Sequence, residues 1–431
     1  MTDWIDLDRR HVWHPYTQML TAAPPIPLAR AEGMYLVTTD GRRLLDGISS
    51  WWVNIHGHAN ARLNRALARQ AETLEHVIFA GFAHEPAARL AAALVERCGG
   101  RLPRVFYSDD GSTAVEVALK MAYQYWSHRG EDQRTLFIAL DEAYHGDTVG
   151  TMAVGGSPTF HSVFRELMFE VRRIATPHTR GTDGCGESLE EILTREGQRI
   201  AAVIVEPMLQ GAAGMRVMDT EYLQNIRRLT LDHGIPLIAD EVFTGFGRTG
   251  RFLACEHAGI TPDLLCLSKA LTAGYLPLSA TLATETIYQA FLSRDRSKTF
   301  FHGHSYTGNA LACAVGLESL AMFDEHQCLD RLAELETLFR ERLDDLATLP
   351  AVESTRCLGG MAALDIAPRG EGGYLDAIGP RLTAAFLERG ILLRPLGNVL
   401  YFLPPYIVTD EEVHRVFDAI GEVLAGDLWL G

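Results

Sequence analysis

Lys269 closes one apolar run, Leu264-Leu265-Cys266-Leu267-Ser268-Lys269, and Asp240 and Glu241 close another, Leu237-Ile238-Ala239-Asp240-Glu241. An amine withdrawn from water loses its charge readily, and the neutral form attacks carbonyl carbon, the chemistry of Schiff-base lysines. A carboxylate in the same layer can keep a heterocyclic nitrogen protonated. Taken alone, a lysine and an aspartate at strand ends are more simply two solvated charges, since charged side chains are mostly exposed. Two features weigh against that here. The glycine-rich turn Gly245-Phe246-Gly247-Arg248-Thr249-Gly250 follows the acids, and Pro262-Asp263 introduces the lysine run.

Other residues could serve the same chemistry. Arg104–Ser108 reads as a strand, followed by Asp109-Asp110-Gly111-Ser112-Thr113 and a helix from Ala114 to Trp126. Backbone N–H groups, a hydroxyl and the positive end of a helix dipole make a phosphate cradle there, although Ser and Thr cap helices everywhere. The strand Thr135–Leu140 leads into Tyr144-His145-Gly146-Asp147, where the Tyr144 ring could lie over a flat ligand with His145 and Asp147 behind it. Glu206, at the end of the strand Ile200–Val205, is a further candidate. Tyr16 offers both a ring face and a hydroxyl, whereas Trp13 reads as a core anchor. Trp51 and Trp52 on an extended chain would point to opposite sides, one into the core and one into a pocket. Arg394, beside Leu393 and Pro395, is either a surface arginine or a planar fork for a carboxylate.

An amine and an acid so placed are the protein's contribution to pyridoxal phosphate (PLP) chemistry. The motifs around Asp240, Lys269, Tyr144 and Gly111-Ser112 resemble those of the class III, or ω-type, aminotransferases, which are PLP enzymes of fold type I. The resemblance implies that Lys269 carries the cofactor, Asp240 faces its ring nitrogen, Tyr144 stacks on its ring, and Gly111 and Ser112 hold its phosphate. The family's His-Gly-x-Thr motif has its counterpart in His302-Gly303-His304-Ser305, with serine in the threonine's place. That implies a homodimer with shared active sites, His304 and Ser305 reaching the neighbouring subunit's cofactor, with Thr307 as the alternative hydroxyl.

Four stretches narrow the resemblance: Trp13–Thr17, Ser49–Trp52, Phe301–Ser305 and Arg394–Gly397. They are similar to those of family members that aminate the keto acid 8-amino-7-oxononanoate to 7,8-diaminononanoate in biotin biosynthesis. The resemblance implies a ping-pong exchange with S-adenosylmethionine as amino donor, or lysine in its place. It makes Lys269, Asp240 and Tyr16 catalytic, and has Tyr16, Trp51, Tyr144, Lys269, Gly303, Arg394 and Tyr401 bind substrates. Arg394 takes the far carboxylate of the keto acid, and no metal is called for. The alternatives are another ω-aminotransferase (ornithine, γ-aminobutyrate or a diamine), a PLP aminomutase, and a non-catalytic PLP-binding module.

The elements that must position these residues follow from the pattern. A chain of 431 residues exceeds a single compact core. Alternation of strand and helix between about 104 and 285 predicts an α/β domain with a mostly parallel central sheet and helical crossovers. We assign residues 59–322 to this large domain. Residues 1–58, with a hairpin around Asp40-Gly41, and residues 323–431 are expected to share a smaller α+β domain. Residues 21–32 read as a connector, and 155–200 as irregular surface with helical stretches. The net charge of 39 − 55 = −16 argues against a nucleic-acid or anionic-membrane partner. Seven cysteines without a CxxC spacing suit buried, reduced thiols and a reducing, cytoplasmic compartment. The N-terminus lacks a signal-peptide core, and no apolar run reaches the roughly 18 residues of a membrane span.

Overall fold

The computed structural model describes residues 3–176, 188–367 and 373–426. Seven strands form the central sheet, in the spatial order Arg104–Ser108, Ser279–Ala283, Leu264–Leu267, Leu237–Asp240, Ile200–Val205, Leu136–Leu140 and Val171–Ile174. Ser279–Ala283 runs antiparallel to both its neighbours, and the remaining pairs are parallel. Every residue of Ile200–Val205 and of Leu264–Leu267 is buried, as apolar runs covered on both faces should be. Helix Gly111–His128 covers one face, setting Ala114, Ala118 and Trp126 among Phe137, Ile204 and Ile238. Each fully buried Val, Leu or Ile stabilises the layer by about 1.5–3 kcal/mol. That burial holds the polar strand ends in register.

Two smaller sheets bring the chain's ends together. Leu28–Glu32, Tyr35–Thr38 and Arg43–Asp46 form an antiparallel meander, and Ile391–Leu392 adds to Arg43–Asp46 in parallel. Val352–Leu358, Met361–Ile366 and Val399–Phe402 form the other.

Three expectations need correction. Residues 28–32 are a strand, not part of a connector; they are mostly exposed, so no periodic pattern announces them. Val171–Ile174, inside the stretch read as irregular, is the edge strand of the central sheet. Its two arginines are compatible with that place because Arg172 pairs with Glu196 and Arg173 donates to the carbonyls of Ala153, Val154 and Gly155. Trp13 is 86% exposed rather than anchored, and helix Trp4–His11 before it buries no residue. Six cysteines are free and five of them buried, while Cys185 lies outside the described residues. Among the described residues, no helix is long and apolar enough to cross a membrane.

Candidate active site

The expected chemistry gathers at the carboxyl ends of the parallel strands, where open α/β sheets bind ligands. Asp240 is the last residue of its strand and pairs in register with Cys266 on the next, three residues before Lys269. A cavity of about 480 Å³ opens over these ends, lined by Lys269, Asp240, His145, Tyr144, Ser112 and Trp52 among others.

The Lys269 ammonium lies 4.7 Å from the Trp52 ring centroid and 5.5 Å from that of Phe243. Burial pushes the amine down to about 8, against the pull of Asp240 and Glu206, which favour its charged form. Lys269 keeps some accessible surface because it lines the cavity, but surrounding protein withdraws it from bulk water. Its backbone is left-handed, at φ 47°.

Asp240 is 5% exposed. Its Oδ2 accepts from His145 Nδ1–H at 2.7 Å and its Oδ1 from the Val242 N–H at 3.1 Å. The buried Nε2 of His145 has no hydrogen-bond partner among the described residues. Glu206 accepts the N–H groups of Tyr144 and Gly211, at 3.0 and 3.2 Å, and desolvation raises its carboxyl to about 7. Two carboxyls and an imidazole, each buried, therefore line the same cavity as the amine.

The start of helix Gly111–His128 meets the same cavity. Asp110 and Thr113 cap it reciprocally, through bonds of 2.8 and 3.0 Å. Capping thus falls to Asp110, and Ser112 is released from it. The N–H groups of Gly111 and Ser112 carry no hydrogen bond among the described residues. The Ser112 hydroxyl accepts the Asp147 N–H at 3.0 Å and keeps its own proton to donate. Gly146, at φ 123°, lets this contact form, because a Cβ there would sit 1.7 Å from Ser112 Oγ.

Tyr16 and Tyr144 converge on Asp147. Both phenols donate to its Oδ2, and their oxygens lie 3.0 Å apart. Burial, then the Asp147 contact, raises the Tyr16 phenol above its ordinary value, and burial raises Tyr144, so both remain protonated donors. Partial burial pushes Asp147 up, but the His161 imidazole 3.5 Å away and hydrogen bonds from Tyr16 and Tyr144 hold it below the usual carboxylate range. The Tyr16 ring meets Trp51 edge-on, with centroids 5.4 Å apart, and the Arg394 guanidinium lies 4.6 Å over Trp51. No carboxylate among the described residues pairs with Arg394. A second cavity, of about 560 Å³, shares Tyr144 and Ala212 with the lining of the first.

The tandem tryptophans are not on an extended chain. Ser49, Ser50, Trp51 and Trp52 have φ of 50°, 45°, 69° and 75°, a left-handed turn without glycine. Such a conformation costs about 1–2 kcal/mol per residue. Trp52 is buried against Phe243, with its Nε1–H donating to the Tyr401 hydroxyl at 3.1 Å, and Trp51 faces Tyr16. Tyr401 is therefore packed behind Trp52, at 2% exposure, rather than on the cavity wall. Arg248 is buried without a carboxylate partner among the described residues; it donates to the carbonyls of Trp52 and Pro404 at 3.3 and 3.2 Å.

Gly303 and Ser305 are exposed, and neither they nor His304 lines the cavity of the same chain. His304 Nε2 stands 3.7 Å from Asp109 Oδ1. The Thr307 hydroxyl is engaged within the loop, accepting the His304 N–H at 3.0 Å. Sequence reasoning gave too little weight to Asp147 and to Arg248. The first was legible in its spacing, three residues beyond Tyr144. The second sat in a turn read for its glycines.

Comparison with known proteins agrees with this geometry. The family model of the class-III aminotransferases matches residues 17–424. The adenosylmethionine-8-amino-7-oxononanoate aminotransferase of Synechococcus elongatus is 49% identical over 420 residues, covering 96% of this chain and 98% of that protein. The protein of the same name from Geobacter sulfurreducens is 42% identical over 438 residues, covering 97% and 96%. The crystal structure of its namesake from Methanocaldococcus jannaschii superimposes with a TM-score of 0.92 at 36% identity, covering 98% of each chain. An amine transaminase from an uncultivated Pseudomonas species, crystallised in the PLP-bound form, gives 0.89 at 35% identity, covering 96% and 98%.

Proposed function

Because this chain belongs to the class III aminotransferases, we propose that it transfers an amino group from S-adenosylmethionine to 8-amino-7-oxononanoate, with PLP held on Lys269. The relatives' shared name supports the substrates, at identities of 49% and 42% over nearly the whole chain. One structural observation carries the chemistry: a desolvated amine, a buried acid and a helix start with its Gly111 and Ser112 N–H groups unspent face one cavity. The residues fit the cofactor. Gly111 and Ser112 offer donors to a phosphate, Asp240 an anion to a ring nitrogen, and Lys269 an amine to an aldehyde.

PLP supplies, when bound, an electron sink for the carbon that bears the transferred nitrogen. The protein's part is to hold and move protons around it. Lys269 has a neutral fraction near physiological pH, so it can take the proton from the donor's α-carbon and return one to the acceptor carbon. His145 keeps the Asp240 carboxylate oriented. Tyr16, Trp51 and Tyr144 make an aromatic wall for a methylene chain or a sulfonium. Tyr16, through its hydroxyl on Asp147, fixes that wall beside the reacting carbon. Arg394, already placed over Trp51, takes the far carboxylate of the keto acid, and Tyr401 bounds the pocket through Trp52. The donor leaves as a keto acid before the acceptor binds, which is a ping-pong exchange.

Gly303, His304 and Ser305 are then supplied to the neighbouring subunit's site, in a homodimer of the cytoplasm. The exposure of Gly303 and Ser305 in the single chain, on a loop that passes Asp109 at His304, supports this. The test is spectroscopic. Purified enzyme with PLP should lose its visible absorbance band on addition of S-adenosylmethionine, and the keto acid should restore it. Loss with lysine alone would assign the other donor. Turnover of one substrate with no second partner would make the enzyme a mutase.

A further inference from the structure

The left-handed turn Ser49–Trp52 presents adjacent indoles to two places at once, Trp51 to Tyr16 and Arg394, and Trp52 to Lys269. Four consecutive non-glycine residues hold a conformation that such residues avoid. Strain of that kind persists only where the surroundings over-determine it, so the groups that impose it can be sought.

Asp46 is the main one. It is fully buried, and both carboxylate oxygens are spent on the turn and its anchor. Oδ1 accepts the N–H groups of Ile48 and Ser50 at 3.2 and 3.0 Å. Oδ2 accepts the Ser50 hydroxyl at 2.7 Å and His58 Nε2–H at 2.9 Å. Further clamps are a Ser49 hydroxyl bond to the Leu403 carbonyl at 2.7 Å, the Arg248 contact with the Trp52 carbonyl and the Trp52 Nε1–H bond to the Tyr401 hydroxyl at 3.1 Å. Asp46 alone reaches the start and the middle of the turn together. It touches neither cavity, so it acts through the tryptophans.

We propose that Asp46 is a positioning residue, which holds the Ser49–Trp52 turn left-handed and thereby sets both the aromatic wall for the substrate and the seat of the Lys269 amine. The inference rests on the reading of Lys269 as the cofactor lysine, but the turn itself can be assayed without it. An asparagine at 46 keeps one acceptor oxygen and presents an NH2 where the Ser50 hydroxyl and His58 need an acceptor. Glycine adopts positive φ freely, so Ser50→Gly removes part of the cost that Asp46 opposes.

The experiment compares wild type, Asp46→Asn, Ser50→Gly and the double variant. Near-ultraviolet circular dichroism of the cofactor-free proteins reads the indole environment, whether or not Lys269 carries anything. Steady-state kinetics of the loaded enzymes reads the wall and the amine separately. Asp46→Asn should leave the far-ultraviolet spectrum unchanged, weaken the aromatic bands, and raise the keto acid KM by roughly tenfold or more, in line with loss of hydrogen bonds to a charged group. The double variant should recover at least half of the aromatic signal and most of the KM. Aromatic bands and KM like those of wild type in Asp46→Asn would overturn the proposal. So would a double variant no nearer wild type than the single one. Should Asp46→Asn fail to fold, Ser50→Ala decides, since it deletes only the hydroxyl bond: a several-fold rise in KM supports the assignment and an unchanged KM refutes it. Loss of the cofactor band in every protein, with the aromatic signal behaving as expected, would fault the reading of Lys269 and leave that of Asp46 standing.

Discussion

The titration of Lys269 is the most direct physical test of the site. With its amine at about 8 rather than the ordinary 10.5, about one tenth of it is neutral at pH 7, against about one in 3,000 for a free side chain, a roughly 300-fold gain in nucleophile. Asp240→Asn has a counter-intuitive consequence. The Asp240 charge pulls the amine upward, so its removal should lower the titration further and raise the neutral fraction at pH 7, by at most about tenfold because that is all the headroom left. The loaded variant should nonetheless lose most of its turnover, since the ring nitrogen loses its anion. Reductive methylation of cofactor-free protein with labelled formaldehyde, followed by peptide mapping from pH 6 to 10, reads this at each amine. The chain contains only three lysines, Lys120, Lys269 and Lys298, which makes the map unambiguous. A wild-type midpoint for Lys269 near 10.5, or a midpoint that rises in Asp240→Asn, would refute the reasoning. The same burial destabilises the cofactor-free fold. Between about 8 and 10.5 the unfolded chain binds the extra proton, so stability rises with pH across that window. Lys269→Met should therefore abolish turnover and yet stabilise the cofactor-free protein at pH 7. The gain should reach about 2 kcal/mol in urea unfolding, after discounting for water that enters the cavity.

Two further outcomes follow from other groups. Glu241 is wholly buried, accepts the N–H groups of Ala254 and Cys255 at 2.6 and 2.9 Å, and is raised by desolvation to about 7. Its contribution is present below the ordinary carboxylate value of 4.5 and lost as pH rises through about 7. Glu241→Gln keeps an acceptor without the charge, so its stability relative to wild type should improve between pH 5 and 8, by up to about 3 kcal/mol; parallel pH profiles for the two proteins would count against it. The shared-site dimer is tested by mixing inactive Lys269→Met with inactive Ser305→Asp under subunit exchange. One intact site per mixed dimer should restore about a quarter of wild-type activity, and no recovery despite verified exchange would remove Ser305 from the partner's site.

The legible part of this protein is the part built from strands buried on both faces. Leu237–Asp240 and Leu264–Leu267 have no polar relief until their ends, so both the strand and the useful residue can be read from one short run. Leu28–Glu32 defeats that reading because it is an edge strand with no buried residue of its own, and Val171–Ile174 because its arginines find partners across the fold. Neither signal exists in the local sequence.

The tryptophan turn fails for a deeper reason. Nothing at Ser49–Trp52 carries the glycine that a left-handed turn advertises, and what enforces it comes from distant segments: Arg248, Leu403 and Tyr401 as well as nearby Asp46. The amine and its acid are placed by neighbouring strands of one sheet, whereas the aromatic wall is placed by a strained loop pinned from three parts of the chain. Chemistry is thus written locally and selectivity is written in tertiary contacts. A family can keep Lys269 and Asp240 fixed while exchanging substrates, because the residues that shape the wall answer to a different set of constraints from those that make the amine reactive.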